Sequence, residues 1–75
     1  MSKLPVLTAV KLIKVLKKHG FIFKRSSGSH QVYFHPMTRR LVSIPIHRGK
    51  DLGKGITKAI ISDAGFTESE FIELL

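Results

Sequence analysis

Residues 21–45, FIFKRSSGSHQVYFHPMTRRLVSIP, decide the fold. Three runs rich in β-branched and aromatic residues are separated by turn formers: FIFKR at 21–25, HQVYFH at 30–35 and RLVSIP at 40–45. Ser-Ser-Gly-Ser separates the first pair, and Pro36 with Met37-Thr38-Arg39 the second. Such composition reads as strands, and connections this short permit only an antiparallel meander. Period-2 alternation then sorts the faces. Phe21, Phe23, Val32, Phe34, Val42 and Ile44 form an apolar face for helices to cover. Gln31, Tyr33, His35, Leu41 and Ser43 form a mixed, open one. His30 begins the second strand, and its parity places it with Val32 and Phe34 at the rim of the covered face. Gly28 is a point where that register can break.

Helices flank the sheet. TAVKLIKVLKKHG, 8–20, has Thr8 as N-cap, an apolar stripe of Ala9, Leu12, Ile13 and Leu16, and Gly20 as stop. IHRGKDLGKG, 46–55, reads as a Gly- and cation-bearing loop. ITKAIISDAG, 56–65, is a second helix, with Ile56, Ala59, Ile60 and Ala64 on one side. Thr67-Glu68-Ser69-Glu70 has the capping-box form and starts a short last helix. The order α-β-β-β-α-α defines an α+β domain spanning residues 1–75, with a three-stranded antiparallel sheet packed on helices on one face.

Charge narrows the function. Thirteen Lys and Arg face five Asp and Glu, for a net +8, and residues 1–50 contain no acid. An acid-free cationic body points to phosphate backbones ahead of a merely soluble surface. No apolar run approaches the roughly 20 residues of a membrane span, and lysines interrupt the N-terminal stretch too often for a secretory signal. The absence of cysteine excludes disulfides and thiolate chemistry and suits a reducing cytoplasm.

Chemistry is narrowed by elimination. His30 and His35 point to opposite faces of one strand and cannot share an ion, so no metal site and no cofactor is expected. With no carboxylate before Asp51, paired-carboxylate hydrolysis and a Ser-His-Asp triad have no acid. The glycines of HRGKDLGKG do not have phosphate-loop spacing. Histidine plus cations suffices for one reaction: RNA cleavage by its own 2′-hydroxyl. His30 is the candidate catalyst and His47 the candidate second acid–base group. Tyr33, on the open face, is a candidate for base stacking, while Arg48, Lys50 and Lys54, in the loop leading to the second helix, are candidate phosphate contacts. A non-catalytic RNA-binding module, or a basic adaptor for an acidic protein, accounts for the same charge.

Across the whole chain, KKHGF (17–21), GSHQVY (28–33), HP (35–36), RRLVSIPIHRGKDL (39–52), GIT (55–57) and AGF (64–66) occur in order. This set resembles the HicA, or YcfA-like, family of small toxins. The resemblance implies a double-stranded-RNA-binding-domain-like fold and a metal-independent endoribonuclease (mRNA interferase) with the histidine of G-S-H, here His30, as catalyst. Gly28 and Ser29, in the same motif, are candidate RNA or phosphate contacts. The resemblance also implies two partners, an mRNA substrate and a HicB-type antitoxin that covers the active site. The chain departs from the family pattern at Met37-Thr38-Arg39-Arg40, where relatives usually have a Gly-containing turn, and in the helix from Gly55, where many relatives are more basic.

Overall fold

The computed structural model describes residues 4–47 and 50–75. Its elements are β1 (Leu7–Thr8), α1 (Ala9–Lys18), β2 (Ile22–Ser27), β3 (His30–Phe34), β4 (Leu41–Pro45), β5 (Asp51–Leu52), α2 (Lys54–Ala64) and α3 (Glu68–Glu73). The expected α+β layout holds: β2, β3 and β4 form a three-stranded antiparallel sheet in that order.

Local signals place the helices. The Thr8 hydroxyl accepts the Lys11 N–H at 3.3 Å, capping α1. Gly20, at φ +98°, takes the left-handed step after the helix, and Lys17 and Lys18 lie in the last turn, where cations suit the helix dipole. The capping box of α3 is complete, with the Thr67 N–H donating to Glu70 Oε1 at 2.8 Å and the Glu70 N–H to Thr67 Oγ1 at 3.1 Å.

Two expectations about 46–65 are corrected. The presumed loop contains β5, which pairs with β1 (Leu7 opposite Leu52, Thr8 opposite Asp51) and so starts α1 and α2 side by side. α2 begins at Lys54, and it buries Thr57, Ile60, Ile61 and Ala64, while Ile56 and Ala59 are exposed. Thr57 tolerates burial because its hydroxyl donates to the Gly53 carbonyl at 3.0 Å.

The sheet faces are also corrected. Phe23, Tyr33 and Val42 align in one row and Gln31 with Ile44 in the next; Tyr33, Val42 and Ile44 enter the core with Leu12, Leu16, Ile61 and Phe71. The other face carries three rows: Ile22–Phe34–Leu41, Arg25–Val32–Ser43 and Ser27–His30–Pro45. Val32, Phe34 and His30 therefore face away from the helices. The cause is turn length. The His35 N–H donates to the Arg40 carbonyl at 3.0 Å and the Arg39 N–H to the His35 carbonyl at 2.7 Å, closing a loop over residues 36–39. An even-numbered loop pairs odd positions with even ones, so Tyr33 meets Val42 and Phe34 meets Leu41.

His35 holds this turn. Its Nδ1 accepts the Met37 and Thr38 N–H groups at 3.1 and 3.2 Å, so Nε2 carries the proton and donates to the His19 carbonyl at 2.9 Å. Its ring packs edge-on against Phe21 at 5.0 Å, and a Cβ on Gly20 would lie 2.6 Å from Nε2. Arg39 takes φ +65°, so the left-handed position of this turn is filled without a glycine. Arg40 donates from Nη1 to the Asp63 carbonyl at 3.4 Å, anchoring the turn to the end of α2.

Two stability outcomes are expected in thermal melts. His35→Ala removes three hydrogen bonds at one ring and should cost about 1–3 kcal/mol, lowering the melting temperature by at least about 4 °C for a domain of this size. Arg39→Gly relieves a left-handed side-chain conformation and should gain about 0.5–1 kcal/mol.

Candidate active site

The open face ends at the β2–β3 turn. Ser27 pairs with His30 across Gly28 and Ser29, and Gly28 supplies φ +58°. A two-residue hairpin needs left-handed backbone, which glycine adopts without side-chain strain. The Ser29 carbonyl accepts the Ile46 N–H at 2.6 Å, so the chain leaving β4 runs beside this turn, and His47 follows one residue later.

His30 projects from this end of β3 and is exposed. Among the described residues its imidazole makes no hydrogen bond, ion pair or ring contact, in contrast to His35, whose two nitrogens are both engaged. A hollow of about 500 Å³ opens beside it, lined by Arg25, Ser26, Ser27, His30, Val32 and Ser43. Val32, 6% exposed, is its apolar floor. The other lining groups are hydroxyls, one imidazole and one guanidinium, with no carboxylate among them. Such a set donates to anions and stabilises negative charge.

Arg25 is not among the residues the sequence singles out, because strict alternation gives it the face of Phe23. A β-bulge between Phe23 and Arg25 breaks the alternation: Phe23 pairs with Tyr33 on the inner face and Arg25 with Val32 on the outer. Bulges re-aim side chains in this way. The only advance signal is the Gly28 register point, which lies on the wrong side of Arg25 to reveal the bulge.

The remaining expected residues are dispersed. His47, Lys50 and Lys54 are exposed, but none lines the hollow, and Arg48 lies outside the described residues. The first turn of α2 is likewise not part of it. The expectation that Tyr33 stacks on a base is corrected. Its ring is 3% exposed, in the core, with its hydroxyl donating to Gln31 Oε1 at 2.8 Å. Burial pushes its phenol pKa up. Phe34, one residue on, takes the outward position instead.

The electrostatics are one-sided. All five acids fall at Asp51, Asp63, Glu68, Glu70 and Glu73, on β5, α2 and α3, whereas the three-stranded sheet carries Lys24 and Arg25 and no acid. The site therefore sits on the acid-free side of a strongly cationic chain.

A family model described as the HicA toxin of bacterial toxin–antitoxin matches residues 10–66. The chain belongs to the HicA toxin family. The matched span holds the whole sheet, the His30 hollow and the bulge that delivers Arg25. No curated protein matches the chain. Membership of a toxin–antitoxin family implies an antitoxin partner for this HicA chain. Among the described residues no helix is long and apolar enough to cross a membrane.

Tyr33→Phe separates a core role from a contact role. It should cost about 0.5–1.5 kcal/mol in a denaturant melt, the worth of one ordinary hydrogen bond, and leave retention of RNA in a filter-binding titration, whatever its wild-type level, unchanged.

Proposed function

We propose that this HicA-family toxin is an endoribonuclease that cleaves mRNA at His30 and is neutralised by a HicB-type antitoxin. The observation that carries the reading is the His30 imidazole, unpartnered among the described residues, beside the Arg25 guanidinium in a hollow lined by no acid.

The reaction follows from those groups. The ribose 2′-oxygen attacks the adjacent phosphorus as His30 takes its proton. The new 2′-O–P bond forms and the P–O5′ bond breaks. The leaving 5′-oxygen accepts a proton, giving a 2′,3′-cyclic phosphate and a 5′-hydroxyl. Acid–base help of this kind contributes about 10²–10⁴ in rate. Arg25 is placed to hold the phosphoryl oxygens as charge develops, and removing one such donor typically costs about 10²–10³. Ser26, Ser27 and Ser43 can donate to the same oxygens. His47 is the candidate donor to the leaving group, favoured by the Ser29–Ile46 hydrogen bond that brings its segment beside the turn. Gly28 and Ser29 shape the turn that presents His30, and Lys50 and Lys54 add cationic reach for the RNA backbone. The step asks nothing of a metal or small-molecule cofactor, and the chemistry suits a cytoplasmic enzyme.

The test uses purified wild type, His30→Ala and Arg25→Ala with a labelled mRNA in EDTA. Both changes are at exposed positions, so melting curves should stay within about 0.5 kcal/mol of wild type. Wild type should cut and leave cyclic phosphate ends. His30→Ala should lose at least about 100-fold and Arg25→Ala about 100- to 1,000-fold. Binding without cutting by the wild type would reduce the chain to a non-catalytic RNA-binding module.

A further inference from the structure

One row of the open face has no part in that chemistry. Ile22, Phe34 and Leu41 align across all three strands; Ile22 is 54% and Leu41 48% exposed, and Phe34 is half-buried between them. Phe34 lies four residues from His30 on the same face of β3, about 13 Å at strand rise. Lys24 Nζ sits 5.1 Å from the centre of its ring.

We infer that Phe34 is a stacking platform for an unpaired base of the RNA whose backbone lies at His30, so that the substrate is single-stranded around the cleaved linkage. This rests on the ribonuclease reading of the site. Bases in a duplex are stacked about 3.4 Å apart along each strand, and A-form grooves do not offer base faces to a protein. A base reaching a ring about 13 Å from the reacting phosphate must therefore be splayed from an unpaired strand. An aromatic ring with aliphatic neighbours accepts any base, because every base has a π-face. Two features favour RNA over a protein on this row. It is continuous with the His30 hollow on one face, and the sheet beneath it carries cations and no acid.

The experiment measures binding of a labelled 2′-O-methyl RNA, which cannot be cut, as a single strand, as a duplex, and as a series of strands with one abasic position each. The proteins are wild type, Phe34→Leu, which keeps apolar bulk, and Phe34→Tyr, which keeps the ring. Wild type should prefer the single strand. Phe34→Leu should weaken single-strand binding roughly 5- to 150-fold, the range for losing one stacked base, and Phe34→Tyr should bind as wild type does. At one abasic position the wild type and Phe34→Leu should bind alike. Equal affinity of Phe34→Leu and wild type for the intact strand overturns the inference, as does a Phe34→Leu deficit that persists at every abasic position. Loss of antitoxin binding by Phe34→Leu with RNA affinity intact also overturns it, and assigns the row to protein docking. Because the RNA cannot be cut, failure of the nuclease reading appears only in the cleavage assay and leaves this result readable.

Discussion

The register of β3 is the constraint on which the rest depends. It is the central strand, and a slip of one residue would exchange every side chain between core and solvent. The loop over residues 36–39 sets that register, and His35 locks the loop from both ring nitrogens. The lock reaches outside the sheet. Nε2 bonds to the His19 carbonyl, and the ring fills the space that a side chain on Gly20 would need. The end of α1, the β3–β4 turn and the core face of β3 are thus fixed by one neutral imidazole. His30 faces outward because His35 holds the other end of its strand in place.

The two histidines of this strand, and the two arginines nearest the sheet, divide in the same way. His35 bonds to backbone groups from both ring nitrogens, and Arg40 donates from Nη1 to the Asp63 carbonyl. His30 and Arg25 make no such bonds among the described residues and share one hollow. A side chain that is fully engaged contributes to stability. One left open beside a hollow, with hydroxyls around it and no acid to neutralise it, is available to a ligand instead. Identity alone does not distinguish the members of either pair.

Local signals in the sequence were legible where a single residue decides the outcome. Thr8, Gly20 and the Thr67–Glu70 box marked helix ends because caps act within four residues. The meander followed from loop length. What was not legible depends on comparing strands. Alternation groups Val32 with Phe34 correctly, but which group meets Val42 depends on whether the intervening loop is even or odd. The assignment of Tyr33 and Phe34 reversed for that reason, and Tyr33 could enter the core because Gln31 satisfies its hydroxyl. The bulge at Lys24 was equally hidden, since no glycine or proline marks it. Arg25 escaped notice with it. Thr57 lies outside the apolar stripe read for α2, and its burial depends on a hydrogen bond from its hydroxyl to the Gly53 carbonyl that the side-chain pattern does not reveal.

Size explains why structure and chemistry are separated by face. A chain of 75 residues can build one core, and here that core uses the inner face of the sheet and the buried sides of three helices. The outer face carries the proposed catalytic hollow and contact row without a cavity opened in the core. The charge follows the same division, with acids on the helical side and cations unopposed on the sheet. A site of the proposed kind, gathered on one exposed, acid-free face, is quick to meet a polyanion. It is also easy to block as a unit. In the proposed reading, an antitoxin that covered the outer face would remove His30, Arg25 and the Phe34 row from RNA together, and inhibition would require no change in the toxin's fold.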